Sequence, residues 1–254
     1  MKTWLALTFV TLCALAWSPL NWRHSVEDDI PVIDAHVHMN YDGSKIDSGL
    51  TYSHDGLLEE FKRANVIGAV TMMSRTGTGY DADMVSHGVT FCVGISETPD
   101  YDAIEAGLKS KKYGCIKIYL GYVHKFANDD IYQGAYTLAE KYSVPVVFHT
   151  GDTSTEDAML KYSDVRQLDE LAVQHRNVTM VIAHMGNPDT KFAAEIAYKN
   201  PNVYVEASAI VTGDLNRLSD DIADEQMIRP IREAFNYLEN PSKMLFGTDW
   251  PLTP

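Results

Sequence analysis

The side chains in this sequence best placed to do chemistry are histidines and acids at the ends of apolar runs. His36 and His38 lie two apart in Asp34-Ala35-His36-Val37-His38. On an extended strand, positions two apart face the same side. Both imidazoles can therefore hold one divalent ion, and imidazole nitrogen suits zinc or a zinc-like metal. A His-x-His pair alone is weak evidence. Three more residues strengthen it: His149 closes Val144–Phe148, His184 closes Val178–Ala183, and Asp249 closes Met244–Thr248. Four histidines and an acid at strand ends share no easy innocent explanation, and together they make the donor set of a site for one or two divalent ions, most simply zinc.

Other polar residues stand near this set. Asp34 can orient a metal-bound imidazole from behind, or it can be an ordinary strand-end acid. Arg75, in Ser74-Arg75-Thr76-Gly77, offers a planar fork for a substrate carboxylate. His124, in Gly121-Tyr122-Val123-His124-Lys125, can reach substrate from a loop. Lys117 lies in Gly114–Tyr119, where burial of its charge demands either a partner acid or loss of the proton. Glu206, in Val203–Ala207, faces one side of its strand or the other. His54, His87 and His175 fall at helical or connecting positions and read as surface or capping residues.

The elements that must position these groups alternate along the chain. Strand-like runs are expected at Val32–Val37, Val66–Met72, Val89–Ile95, Gly114–Tyr119, Val144–Phe148, Val178–Ala183, Val203–Ala207 and Met244–Phe246. Most are continuously apolar, as parallel strands covered on both faces are. Helices are expected at His54–Asn65, Tyr101–Ser110, Asp129–Tyr142, Asp164–His175, Thr190–Lys199 and Ile222–Leu238, with Asp164 and Asp189 as N-caps. The stretch around Tyr80–Ser86 is a weaker connection. Eight strands with seven connections predict an α/β fold, a (β/α)8 TIM-like barrel. A doubly wound sheet would carry a glycine-rich loop after its first strand, where this chain has His-Val-His. In such a barrel every strand ends at one rim, and the five residues meet there. The sequence ends at Pro254, five residues after Asp249. The expected barrel therefore lacks its last helix within this sequence, which reads as a C-terminal truncation or as a barrel covered from elsewhere, by the N-terminal segment or by another subunit of a homo-oligomer.

Residues 1–25 read as a signal peptide or membrane anchor plus linker, and residues 26–254 as the barrel. Lys2 is followed by an almost wholly apolar stretch, Trp4–Trp17, and Ala14-Leu15-Ala16 fits a small-x-small cleavage pattern. The run is short against the about 20 residues that span a bilayer. Pro19, Leu20 and Trp22 extend it, so an uncleaved anchor stays open. Export, or anchoring through this segment, is the expected location, with membrane contact through the segment alone. Cys92 and Cys115 read as small buried core residues, with a disulfide between them as the alternative in an oxidising compartment. The net charge of −14 opposes nucleic-acid binding, which needs cations on phosphates. The expected partner is a small-molecule substrate.

Ile33-Asp34-Ala35-His36-Val37-His38, Phe148-His149, Ala183-His184-Met185-Gly186 and Phe246-Gly247-Thr248-Asp249-Trp250-Pro251 together resemble the amidohydrolase superfamily, and within it the amidohydrolase-related branch that includes decarboxylases. The resemblance covers about Val32 to Pro251. It implies a distorted barrel with metal at the rim. By that resemblance His36, His38 and His149 ligate metal, and His184 binds a second metal or holds substrate. Asp249 ligates metal and takes the proton of the attacking water. In binuclear relatives a lysine on the fourth strand is carboxylated and bridges two metals; Lys117 stands there, and the charge-paired alternative stays open. A divalent ion lowers the pKa of bound water toward about 7. The resemblance thus implies hydrolysis of a C–N or C–O bond in an amide, ester or lactone. Non-oxidative decarboxylation of an unsaturated or aromatic acid is the second reading, and a non-catalytic binding protein on the same scaffold is the third.

Overall fold

A computed structural model describes residues 30–46, 49–210 and 219–251. The signal or anchor segment, with His24 and Cys13, lies outside the described residues. The compact unit that holds the barrel begins at Pro31. Among the described residues no helix is long and apolar enough to cross a membrane.

Eight strands form one parallel sheet in sequence order: β1 (Val32–Val37), β2 (Val66–Met72), β3 (Val89–Gly94), β4 (Cys115–Ile118), β5 (Val146–Phe148), β6 (Met180–Ile182), β7 (Val203–Glu206) and β8 (Met244–Leu245). The helices are α1 (His54–Arg63), α2 (Tyr101–Lys109), α3 (Gln133–Tyr142), α4 (Leu160–Ser163), α5 (Gln167–Gln174), α6 (Thr190–Lys199), α7 (Asp220–Ala223) and α8 (Arg229–Leu238). The predicted (β/α)8 barrel is therefore present. Its last strand is short, so the ring closes through backbone bonds beyond it. Ala35 N–H donates to Phe246 O, Asp249 N–H to His36 O and His38 N–H to Trp250 O, each at 2.8 Å. These closing bonds lie beside the candidate ligands, so the seam of the barrel and the site are built together.

The helices bury residues three and four apart, as an amphipathic helix on a sheet must. Examples are Ile104, Gly107 and Leu108 on α2 and Leu168, Leu171 and Ala172 on α5. These pack with Ile116, Val146, Phe148, Met180 and Val203 in the main core. Each fully buried aliphatic side chain contributes roughly 1.5–3 kcal/mol. Inside the barrel, Met72, Cys92, Cys115, Val147, Val181 and Ala183 form a separate plug beneath the rim. Cys92 and Cys115 are disulfide-bonded across β3 and β4, so the reading as free core thiols is corrected. They are paired neighbours in the ladder, which brings the two sulfurs together.

Three helical expectations change. The predicted Ile222–Leu238 helix is interrupted by a π-helical turn, Asp224–Ile228, just before Pro230 at the start of α8. Proline has no N–H to continue the ladder, which accounts for the break. Asp164 lies one turn before α5, whose N-cap position is Arg166; its carboxylate accepts the Arg166 backbone N–H at 3.0 Å and the guanidinium at 2.9 Å. Asp189 takes the N-cap position of α6 without a side-chain cap bond. The described residues continue to Pro251 with no helix after β8. Ile33, Ile67 and Phe246, on or beside β1, β2 and β8, are 61, 58 and 55% exposed.

Candidate metal centre and active site

Alternation along β1 turns Asp34 and His36 to the inside while Ile33 and Ala35 face outward. His38 follows the strand end and is partly open. His149 follows β5 directly. His184 and Met185 turn the chain after β6 with φ of 61° and 49°, and Asp249 has φ of 65°. The left-handed region costs a non-glycine residue roughly 1–2 kcal/mol. Such strain gathers where side chains must be aimed at a site. The turn at His184 is pinned by Thr150, whose hydroxyl donates to Ala183 O at 2.6 Å and accepts Gly186 N–H at 3.1 Å. Asp249 is pinned by its own N–H to His36 O.

The structure brings His36, His38 and Asp249 together at this rim, with His184 beside His36. Asp249 Oδ1 lies 3.0 Å from His38 Nε2 and 3.3 Å from His36 Nε2. It is buried and forms no hydrogen bond of good geometry, though both rings stand within contact distance. Three donor atoms converging on one point is an arrangement that a cation would satisfy. These three residues form one group spaced to hold a metal; His36, His184 and Glu206 form another. His149 joins neither. Its Nε2 donates to Asp152 O at 2.8 Å, and its ring packs on that of His184 with centroids 4.7 Å apart.

Burial sets the protonation states. His36 and His184 are driven well below the ordinary imidazole range by burial and by neighbouring positive and imidazole groups. His149 falls to about 3 by burial and the Lys117 charge. All three are neutral near pH 7, as metal ligation requires. Burial would raise Asp249, but the surrounding imidazoles and Lys117 outweigh it and hold the carboxyl at about 2. Lys117 is wholly buried, 3.5 Å from His36 Nε2, and burial lowers it to about 8 against the pull of Asp249 and Glu206. It faces the ligands, as both readings of this lysine require.

Asp34 does not back an imidazole, which corrects that expectation. Its carboxylate accepts His36 N–H and Thr248 N–H at 3.0 Å and the Thr248 hydroxyl at 2.6 Å, tying β1 to the chain beyond β8. Burial raises it to about 6 despite these bonds. The acid behind His36 is Glu206, with Oε2 2.7 Å from Nδ1. The signal for it was present: Glu206 is an acid closing the apolar run of β7, as the ligands close theirs. His124 is also corrected. It is exposed, its Nε2 donates to Asp157 O at 2.9 Å, and its ring stacks on Tyr162 away from the ligands. Arg75 does reach the site. It lines a cavity of about 390 Å³ together with His38, Asn40, Tyr52, Tyr119, Tyr122, His149, His184 and Asp249. That volume suits a small molecule. Arg75 Nη1 donates to Tyr122 O at 3.2 Å, which aims the guanidinium along the cavity wall.

A family model described as amidohydrolase matches residues 33–254. The chain belongs to the amidohydrolase family. Solved structures share its barrel. An uncharacterized TIM-barrel protein of Bordetella bronchiseptica has 18% identity and a TM-score of 0.64, with 89% of this chain and 88% of that one covered. An amidohydrolase of Burkholderia multivorans with bound zinc has 16% identity and a TM-score of 0.59, covering 88% and 85%. The 5-carboxyvanillate decarboxylase of Sphingomonas paucimobilis has 11% identity and a TM-score of 0.54, covering 78% and 72%. At these identities they share the fold. No curated protein matches the chain significantly.

Proposed function

We propose that this amidohydrolase-family chain is a metal-dependent hydrolase that uses water to cleave a C–N or C–O bond in a small amide, ester or lactone. The observation that carries the reading is the convergence of His36 Nε2, His38 Nε2 and the unpartnered, buried Asp249 Oδ1. Neutral imidazoles with a carboxylate are a fitting donor set for zinc, and zinc is bound in one structural neighbour. Lys117 Nζ stands 3.5 Å from His36 Nε2, and His149 lines the same cavity as Asp249. A divalent ion held there would polarise the scissile carbonyl and make water acidic enough to attack near neutral pH.

The chain's own residues do the rest. Asp249, ionised across the working pH range, receives the proton of the attacking water and hands it to the leaving nitrogen or oxygen. His184, neutral and on the cavity wall, offers a lone pair to a ligand or to a substrate donor. Arg75 takes a substrate carboxylate in charge-assisted hydrogen bonds. The aromatic walls of Tyr52, Tyr119 and Tyr122 exclude water around the reacting bond.

Decarboxylation is the second reading. Arg75 and Lys117 on one cavity favour an acidic substrate, and one neighbour is a decarboxylase. We also propose export or N-terminal anchoring, in keeping with the Cys92–Cys115 disulfide. The test is metal content per chain by plasma mass spectrometry on protein lacking residues 1–20, followed by a panel of lactones, esters, amides and aromatic acids. One or two equivalents of transition metal with water-consuming turnover is expected. Release of CO2 without consumption of water would select decarboxylation. Folded, unchelated protein without metal would overturn both.

A further inference from the structure

Glu206 and Ser208 stand behind the imidazoles, and the reaction above uses neither. They are 1% and 0% exposed. Glu206 Oε1 accepts the Ser208 backbone N–H, and Oε2 accepts the Ser208 hydroxyl at 2.9 Å. With Glu206 ionised both oxygens can only accept, and His36 Nδ1, 2.7 Å from Oε2, is then the donor in that pair. The serine hydroxyl has one proton and gives it to Glu206. Toward His184 Nδ1, 2.9 Å away, it can only accept. His184 therefore also carries its proton on Nδ1. A third feature makes room for this arrangement. A Cβ at Gly247 would overlap Glu206 Oε1 and lie 3.0 Å from His36 Cβ. Glycine at that position leaves the slot that the carboxylate fills.

We propose that Glu206 and Ser208 are positioning residues that lock His36 and His184 as Nδ1–H tautomers, so that both rings present a bare Nε2 to the cavity. The close group of His36, His184 and Glu206 is then a hydrogen-bond relay, and its spacing does not mark an ion site of its own. The relay runs one way. His36 Nδ1 meets Glu206 directly at 2.7 Å and the Ser208 hydroxyl at 3.3 Å, whereas His184 reaches Glu206 only through the serine. This inference rests on the metal-site reading for its purpose, but its geometry can be tested without metal. A ligating imidazole must have its partner nitrogen protonated and held, and loss of such a partner typically costs about 10–100-fold in metal affinity.

The experiment is nitrogen–proton correlation spectroscopy of the histidine rings in chelator-treated protein, with zinc affinity measured by chelator competition on the same samples. The wild type should show both rings as neutral Nδ1–H tautomers. Ser208→Ala should disturb the His184 pattern more than that of His36, which loses a 3.3 Å contact but keeps Glu206 at 2.7 Å. Glu206→Leu should disturb both. Glu206→Gln, nearly isosteric and safer for folding, should retain more of the His36 pattern than Glu206→Leu because it keeps an acceptor oxygen. Zinc affinity should fall about 10–100-fold in Ser208→Ala and Glu206→Leu. Nε2–H rings in the wild type, or tautomers unmoved in folded Ser208→Ala and Glu206→Leu, would overturn the proposal. Two zinc ions in the wild type with one lost in Glu206→Gln would overturn the relay and make Glu206 a ligand. Shifted tautomers in a protein that never binds metal would uphold the positioning and sink the metal-dependent reading instead.

Discussion

The side of the cavity formed by β1, β6 and β7 is closed. His36, His184, Glu206 and Ser208 are each at most 3% exposed, and every one of them is hydrogen-bonded to another member of the set. The side formed by the chain after β2 and β4 is open. The Arg75 side chain is 38% exposed, and the Tyr122 hydroxyl meets Ser154 in an exposed contact. A buried donor left without a partner costs about 1–3 kcal/mol, so the inner side cannot shift a ring without penalty. The outer side faces water and can re-aim at little cost. The inner side therefore sets the chemistry, and the outer side sets which molecule is admitted.

The comparison can be broken first at the inner side. His36→Ala with His38→Ala should abolish metal retention; full occupancy in plasma mass spectrometry would mean the ion sits elsewhere. Asp249→Asn comes next. It should retain most of the metal and lose turnover by about 10²–10⁴-fold, the usual worth of a positioned proton acceptor. Near-normal kcat would remove that role. At the outer side, Arg75→Ala should raise KM by about 10–100-fold for acidic substrates, with kcat little changed, as the loss of a charge-assisted binding contact does. A fall in kcat with constant KM would move Arg75 into the chemistry. His124→Ala is the control for that side and should stay within about twofold.

The smallest effect sharpens the comparison through pH. His36, His149 and His184 titrate below their unfolded value when folded, so their contribution to stability is present above about pH 6.5 and is lost on acidification. Glu206, raised from 4.5 to about 7 by burial, works the other way. Its contribution is full below pH 4.5 and is lost as pH rises through 7. The histidines are more numerous and dominate, so the urea midpoint of metal-free protein should fall from pH 7 to pH 5. Asp34, raised from 3.8 to about 6, opposes the histidines in the same way, and Glu206→Gln removes one of these opposing acids and should make that fall steeper. An unchanged slope would mean Glu206 is not the buried acid described here.

Much of this was legible in the chain. Val32–Val37 and Val66–Met72 appear with the expected limits, because long apolar runs have one good use in a parallel barrel. His36, His38, Lys117, His184 and Asp249 were readable as a group because each ends or occupies such a run. Other features were not. Pro230 splits a helix that hydrophobic periodicity had joined. His124 follows a strand like the ligands do, yet a backbone carbonyl and Tyr162 hold it aside. Asp34 has the right type and position to back an imidazole, but the chain beyond β8 brings Thr248 to it first.

Residue order alone determined the barrel and the identity of the converging donors, since strand alternation and parallel topology leave little choice of rim. The tertiary structure decided which acid stands behind which imidazole. That assignment links Glu206 to His36 across 170 positions of sequence. It depends on the register of β7 against β8, on the bonds that tie the chain after β8 to β1, and on the empty space at Gly247, and none of these is written in any local pattern.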